Sequence, residues 1–182
     1  MDEQRMLHGK NEEEVWKQLD IDLQDADLLH YQAAIMQGTQ KLYLDIDIDP
    51  GGGFESGYST TTLLTPLSSN DDFRFAVHTK HITDAIGKLF GMQDVVIGHT
   101  DFDEKFIIKT NNEAKVKALF NDSSVRNILL SLPHFTLEII DENDSLHDNV
   151  LQLYIEEAIV QPERLRPVYH TFVQLLQRLN EG

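Results

Sequence analysis

Apolar and polar positions alternate with a period of two along much of this chain, the pattern of strands with one buried face. The clearest stretch is Lys41 to Asp49, where Leu42, Leu44, Ile46 and Ile48 lie on one face and Tyr43, Asp45, Asp47 and Asp49 on the other. Pro50-Gly51-Gly52-Gly53 ends it, because proline and consecutive glycines do not continue a regular ladder cheaply. Before it, Leu28 to Met36 is mostly apolar and closes at the turn Gln37-Gly38-Thr39. After it, Thr60 to Leu67 is β-branched, and Phe73, Phe75 and Val77 alternate again beyond the loop Ser68 to Asp72. Val95 to Ile97 is a short apolar run and Lys105 to Lys109 a short strand. Phe135, Leu137 and Ile139, then Val150 to Ile159, read as a hairpin around the acidic loop Asp141 to Asp148.

Elsewhere the period lengthens to that of a helix. Asn11 followed by Glu12, Glu13 and Glu14 is a helix start, a capping side chain with carboxylates beside the positive end of the dipole. Val15, Trp16 and Leu19 give that helix its apolar face, and it should fade near Asp20–Asp25. Ile82, Ala85, Ile86, Leu89 and Phe90 predict a second helix closed by Gly91. Val116, Leu119 and Phe120 predict a third, and Val125, Ile128, Leu129 and Leu132 a fourth, capped through Asn121-Asp122-Ser123-Ser124 and stopped by Pro133. In the last helix, Leu165, Val168, Phe172, Leu175, Leu176 and Leu179 fall at offsets 0, 3, 7, 10, 11 and 14. Pro162 or Pro167 should lie in its first turn, since a proline deeper inside costs about 3 kcal/mol.

Short connections between the early strands favour antiparallel pairing. The expected architecture is a single α+β domain over residues 1–182, with a mainly antiparallel sheet, helices on one face and residues 1–9 disordered. No repeat and no low-complexity linker divides it.

Composition narrows the functional classes. A net charge of −16, with 15 Lys and Arg against 31 Asp and Glu, disfavours nucleic acid and anionic membranes, which are bound through clustered basic groups. No apolar run reaches the roughly 20 residues of a membrane span, and the first residues carry no signal-peptide pattern. With no cysteine there is no disulfide, no thiolate nucleophile and no Cys-based zinc site. A cytoplasmic setting is the expectation.

Two clusters are candidate metal ligands. Asp45, Asp47 and Asp49 precede a glycine turn as in the start of a calcium loop, where a hard cation gathers oxygens through a bend. Pro50 stands where an EF-hand loop needs glycine and Ser56 where it needs glutamate. Ile46 and Ile48 also make the segment a strand, so only neighbouring carboxylates, about 7 Å apart, could share an ion. The second cluster is His99, Asp101, Asp103 and Glu104, with His78 and His81 upstream, a set suited to zinc, manganese or acid–base work. Asp101 and Asp103 sit where a turn enters a strand, a place where aspartates bond nearby backbone amides. The Gly51–Gly57 stretch lacks the Gly-Lys-Ser/Thr of a phosphate loop, and Ser56 lacks the Gly-x-Ser-x-Gly spacing of a nucleophile elbow. It reads as a flexible turn.

Residues Val96 to Phe120, VIGHTDFDEKFIIKTNNEAKVKALF, resemble a pattern in uncharacterised bacterial domains of unknown function. There a short strand leads into Gly-Asp-x-x-Phe-Asp-x-x-Phe-x-Val-Lys and then a short helix. The resemblance covers about residues 80–132, and the usual Gly-Asp is replaced by Gly98-His99-Thr100-Asp101. It implies no catalytic residue. Phe102 and Phe106 read as anchors for a strand's core face and Asp103 as the residue that fixes the turn.

With no nucleophile, phosphate loop or convincing ligand triad, the leading expectation is a non-catalytic binding module without a cofactor. The alternatives are a divalent-metal enzyme or sensor, and an acidic immunity-type protein that neutralises a basic partner.

Overall fold

The computed structural model describes residues 5–24, 28–52, 56–68, 72–80, 92–141 and 149–181. The strands are β1 (Arg5–Gly9), β2 (His30–Gln37), β3 (Gln40–Asp49), β4 (Tyr58–Pro66), β5 (Phe75–Thr79), β6 (Gln93–Val95), β7 (Phe106–Thr110), β8 (Phe135–Asp141) and β9 (Asn149–Ile155). The helices are α1 (Glu12–Asp22), α2 (Thr100–Lys105), α3 (Glu113–Leu119), α4 (Ser123–Ser131) and α5 (Pro162–Glu181). The helix expected over 82–90, most of the acidic loop after Asp141, His81 and Gly53 to Glu55 lie outside the described residues.

The nine strands among the described residues join one sheet in the order β1-β2-β3-β4-β9-β8-β5-β7-β6. Every pairing is antiparallel except β1 with β2. The α+β class with a mainly antiparallel sheet therefore holds. One register row crosses eight strands as Ala33, Leu44, Leu63, Leu153, Leu137, Val77, Ile108 and Val95. Every member is apolar, which pins the register, because a one-residue slip would turn the whole row outward. The core lies on this face, where α5 packs against α1, α3 and α4.

Three expectations need correction. Residues 5–9 are a strand rather than disordered: Leu7 is fully buried and pairs with Ile35. The acidic turn at 100–105 is the helix α2, too short for its period to be legible around one buried residue, Phe102. Pro162 does open α5, but Pro167 sits inside it on the exposed side. Eight residues of α5 are buried, and at about 1.5–3 kcal/mol for each large apolar side chain this outweighs the proline penalty of about 3 kcal/mol.

Aromatic rings join α2, β7, β8 and the end of α3. Phe102 lies 4.7 Å from Phe106 and 5.6 Å from Phe120, and Phe106 lies 5.0 Å from Phe135, between ring centroids. Both rings are buried in the core, but only Phe106 sits on a strand: Phe102, expected there too, is carried by α2.

Candidate functional site

The three strand aspartates keep separate company. Asp45 accepts a 2.6 Å hydrogen bond from the Gln32 amide, Asp47 one of 3.0 Å from the Tyr58 hydroxyl, and Asp49 one of 2.8 Å from the Gly51 backbone N–H. They share the sheet face opposite the core, and each is bonded to a different element or turn. Asp103 is committed to its own loop: its carboxylate accepts from the backbone N–H groups of Ile97, Gly98 and His99 at 2.9, 2.9 and 3.0 Å. This is the turn-fixing role its position implied. Asp101 accepts from the N–H of Phe102, and His99 supplies the N-cap backbone of α2 without a side-chain cap bond. His78 lies on β5, 2% exposed. Among the described residues no three His, Asp or Glu side chains are grouped to hold a metal ion.

The site the sequence reading missed lies at the other end of the molecule. The last apolar member of the α5 stripe, Leu179, is only half-buried. It borders a cleft of about 320 Å³, walled by Leu67, Phe73, Ala118, Leu119, Ile139 and Leu179. That volume sits at the lower end of the about 300–1,000 Å³ usual for small-molecule sites. Lys115, Asn149, Arg178 and Glu181 are its polar and charged members.

The walls are bolted to one another. The N–H of Leu67, just after β4, donates to the Asn149 carbonyl at the start of β9, at 2.8 Å. The N–H of Ser68 donates to Oδ1 of Asn180 at the end of α5, at 3.2 Å. Arg178 reaches from α5 to the carbonyl of Leu119 at 3.0 Å and to Asp122, the N-cap of α4, at 2.6 Å. Hydrogen bonds from the Ser124 hydroxyl, then Arg178 and the Ser124 N–H, pull the Asp122 carboxyl down to about 2. The Lys115 ammonium lies 5.7 Å from the centroid of the Phe73 ring, within cation–π range.

Asn149 is the unusual lining residue. It is 4% exposed, and its Oδ1 is buried with no hydrogen-bond partner among the described residues. Its register places it on the core face of β9, ahead of Leu151, Leu153 and Ile155. An amide at the head of an apolar alternation was the one sequence signal that could have marked this site.

No family model matches the chain, and no curated protein does. Among solved structures, the mycobacterial trehalose monomycolate transport factor A, TtfA, is similar with a TM-score of 0.42 and 10% identity, over 78% of this chain and 74% of that one. A likeness of that size carries no functional argument. No helix among the described residues is long and apolar enough to cross a membrane.

Proposed function

We propose that the protein is a binding module that holds a small, largely apolar molecule in the cleft beneath the end of α5. The observation that carries this reading is a braced cleft of about 320 Å³ whose walls are mostly apolar side chains. Moving apolar surface of a ligand out of water gains roughly 25 cal/mol per Å², so mostly apolar walls favour an apolar body. Bracing by the Leu67, Ser68 and Arg178 bonds supports a preformed site, which lowers the ordering cost of binding.

The test uses N-phenyl-1-naphthylamine, a dye that brightens in apolar surroundings. Ala118 is exposed on α3 and lines the cleft, so Ala118→Trp fills the space from outside the core. The expected result is saturable brightening with the native protein and at least tenfold weaker binding by Ala118→Trp at unchanged Tm. No saturable brightening, or equal binding by the variant, contradicts the reading.

A further inference from the structure

Resting on that reading, we infer that the ligand is an apolar molecule with an anionic head, a carboxylate at one end of a hydrophobic body. The lining of the cleft is graded from apolar and buried to charged and wet. Phe73, Leu119 and Ile139 are buried, whereas Lys115 is half-buried and the Arg178 side chain is 32% exposed. A molecule that enters with its apolar end inward leaves its head among Lys115 and Arg178, where water still reaches. Both cations are set against the walls. The Lys115 ammonium, carried by α3, stands over the Phe73 ring, and Arg178, carried by α5, donates to the carbonyl of Leu119. The bonds to Leu119 and Asp122 fix the guanidinium without using all of its donors, and a ligand carboxylate can take the others.

The charge balance at the cleft decides the sign of the head. Asp122 offsets part of the Arg178 charge, and Glu181 is the opposing carboxylate of the lining. Glu181 is exposed, so water screens it, while Lys115 is half-withdrawn from water and its charge acts at higher strength. The net charge of −16 repels an anion at long range, but that field is screened beyond about 8 Å at physiological ionic strength. Local groups therefore win. A cationic head would face two like charges, and a neutral one would gain little from either.

The test displaces bound N-phenyl-1-naphthylamine at pH 7 with three naphthalenes of nearly equal size: 2-naphthoate, an anion; 2-naphthamide, its neutral counterpart; and 2-naphthylmethylamine, a cation. The native protein should bind 2-naphthoate at least fivefold more tightly than the amide and at least tenfold more tightly than the amine. Lys115→Met keeps an apolar stem and removes the charge, so acid and amide should then bind within about twofold of each other at unchanged Tm. Lys115→Gln provides the same comparison should Met disturb α3. Ala118→Trp should weaken all three together, which locates them in the cleft. Equal binding of acid and amide, tighter binding of the amine, or an acid preference that survives both Lys115 variants overturns the anion inference and leaves the cleft reading standing. Absence of dye binding in the first place overturns both.

Discussion

Asp103 shows how a single side chain fixes local structure. Three backbone N–H groups converge on its carboxylate from Ile97, Gly98 and His99, and Gly98 takes a φ of 88° that a side chain would resist. Asp103→Asn replaces one acceptor oxygen by a donor that faces a donor. The loss should be about 1–3 kcal/mol by urea unfolding, since hydrogen bonds to charged groups are worth about 1.5–3 kcal/mol. A change below about 0.5 kcal/mol would mean that the turn holds without it. This role was legible in the sequence from a short acidic turn before a strand. That Asn149 lines a cleft was not, because no local pattern reports which elements meet around a buried amide.

Among the elements, β5 and β8 show where the polar face of the sheet stops being wet. Glu138 on β8 stands opposite Ala76 on β5 and Gln152 on β9, with His78 diagonal to it. Burial raises the Glu138 carboxyl above its ordinary value. His78 is lowered, first by burial and then by the charge of Lys109, with Asp94 acting in the opposite sense. For Glu138 the raised folded value means that the stability tied to its proton is complete below the unfolded value of about 4.5, and is lost as pH rises through the folded one. Glu138→Gln should therefore match the native protein in thermal melts near pH 4 and melt at a higher temperature at pH 7. A lower Tm at pH 7 would mean that the ionised carboxylate stabilises the fold. For His78 the sign is reversed: the imidazole stays neutral in the fold, and stability falls as pH drops below its ordinary value of 6.5. The strands and α5 were legible because their periods run for many residues. The helix α2 was not, because six residues with one buried position do not define a period.

At the scale of the whole molecule, the hydrophobic pattern indicated the α+β class and a mainly antiparallel sheet, but not the order of the strands. The parallel pairing of β1 with β2 and the insertion of β9 and β8 between β4 and β5 join residues far apart in sequence, which alternation cannot report. The cleft is hidden for the same reason, being assembled from the ends of β4, α3, β8, β9 and α5. The metal expectation belongs to this scale too, since it needs carboxylates to converge. Asp45, Asp47 and Asp49 are bonded separately, so melting with EDTA and then with Ca²⁺, Mn²⁺ or Zn²⁺ should leave Tm unchanged. A shift of several degrees that Asp47→Asn removes would restore a metal site on β3.

The central claim is that a small, largely apolar molecule enters the cleft beneath α5. Titrating 2-naphthol into ¹⁵N-labelled protein and following amide chemical shifts tests it most directly. Shifts should concentrate at the Asn149 side chain and at the backbone of Ala118, Leu119 and Leu179, saturating together with one dissociation constant. Saturable shifts confined to another part of the sheet, or none at the solubility limit of the ligand, would contradict it.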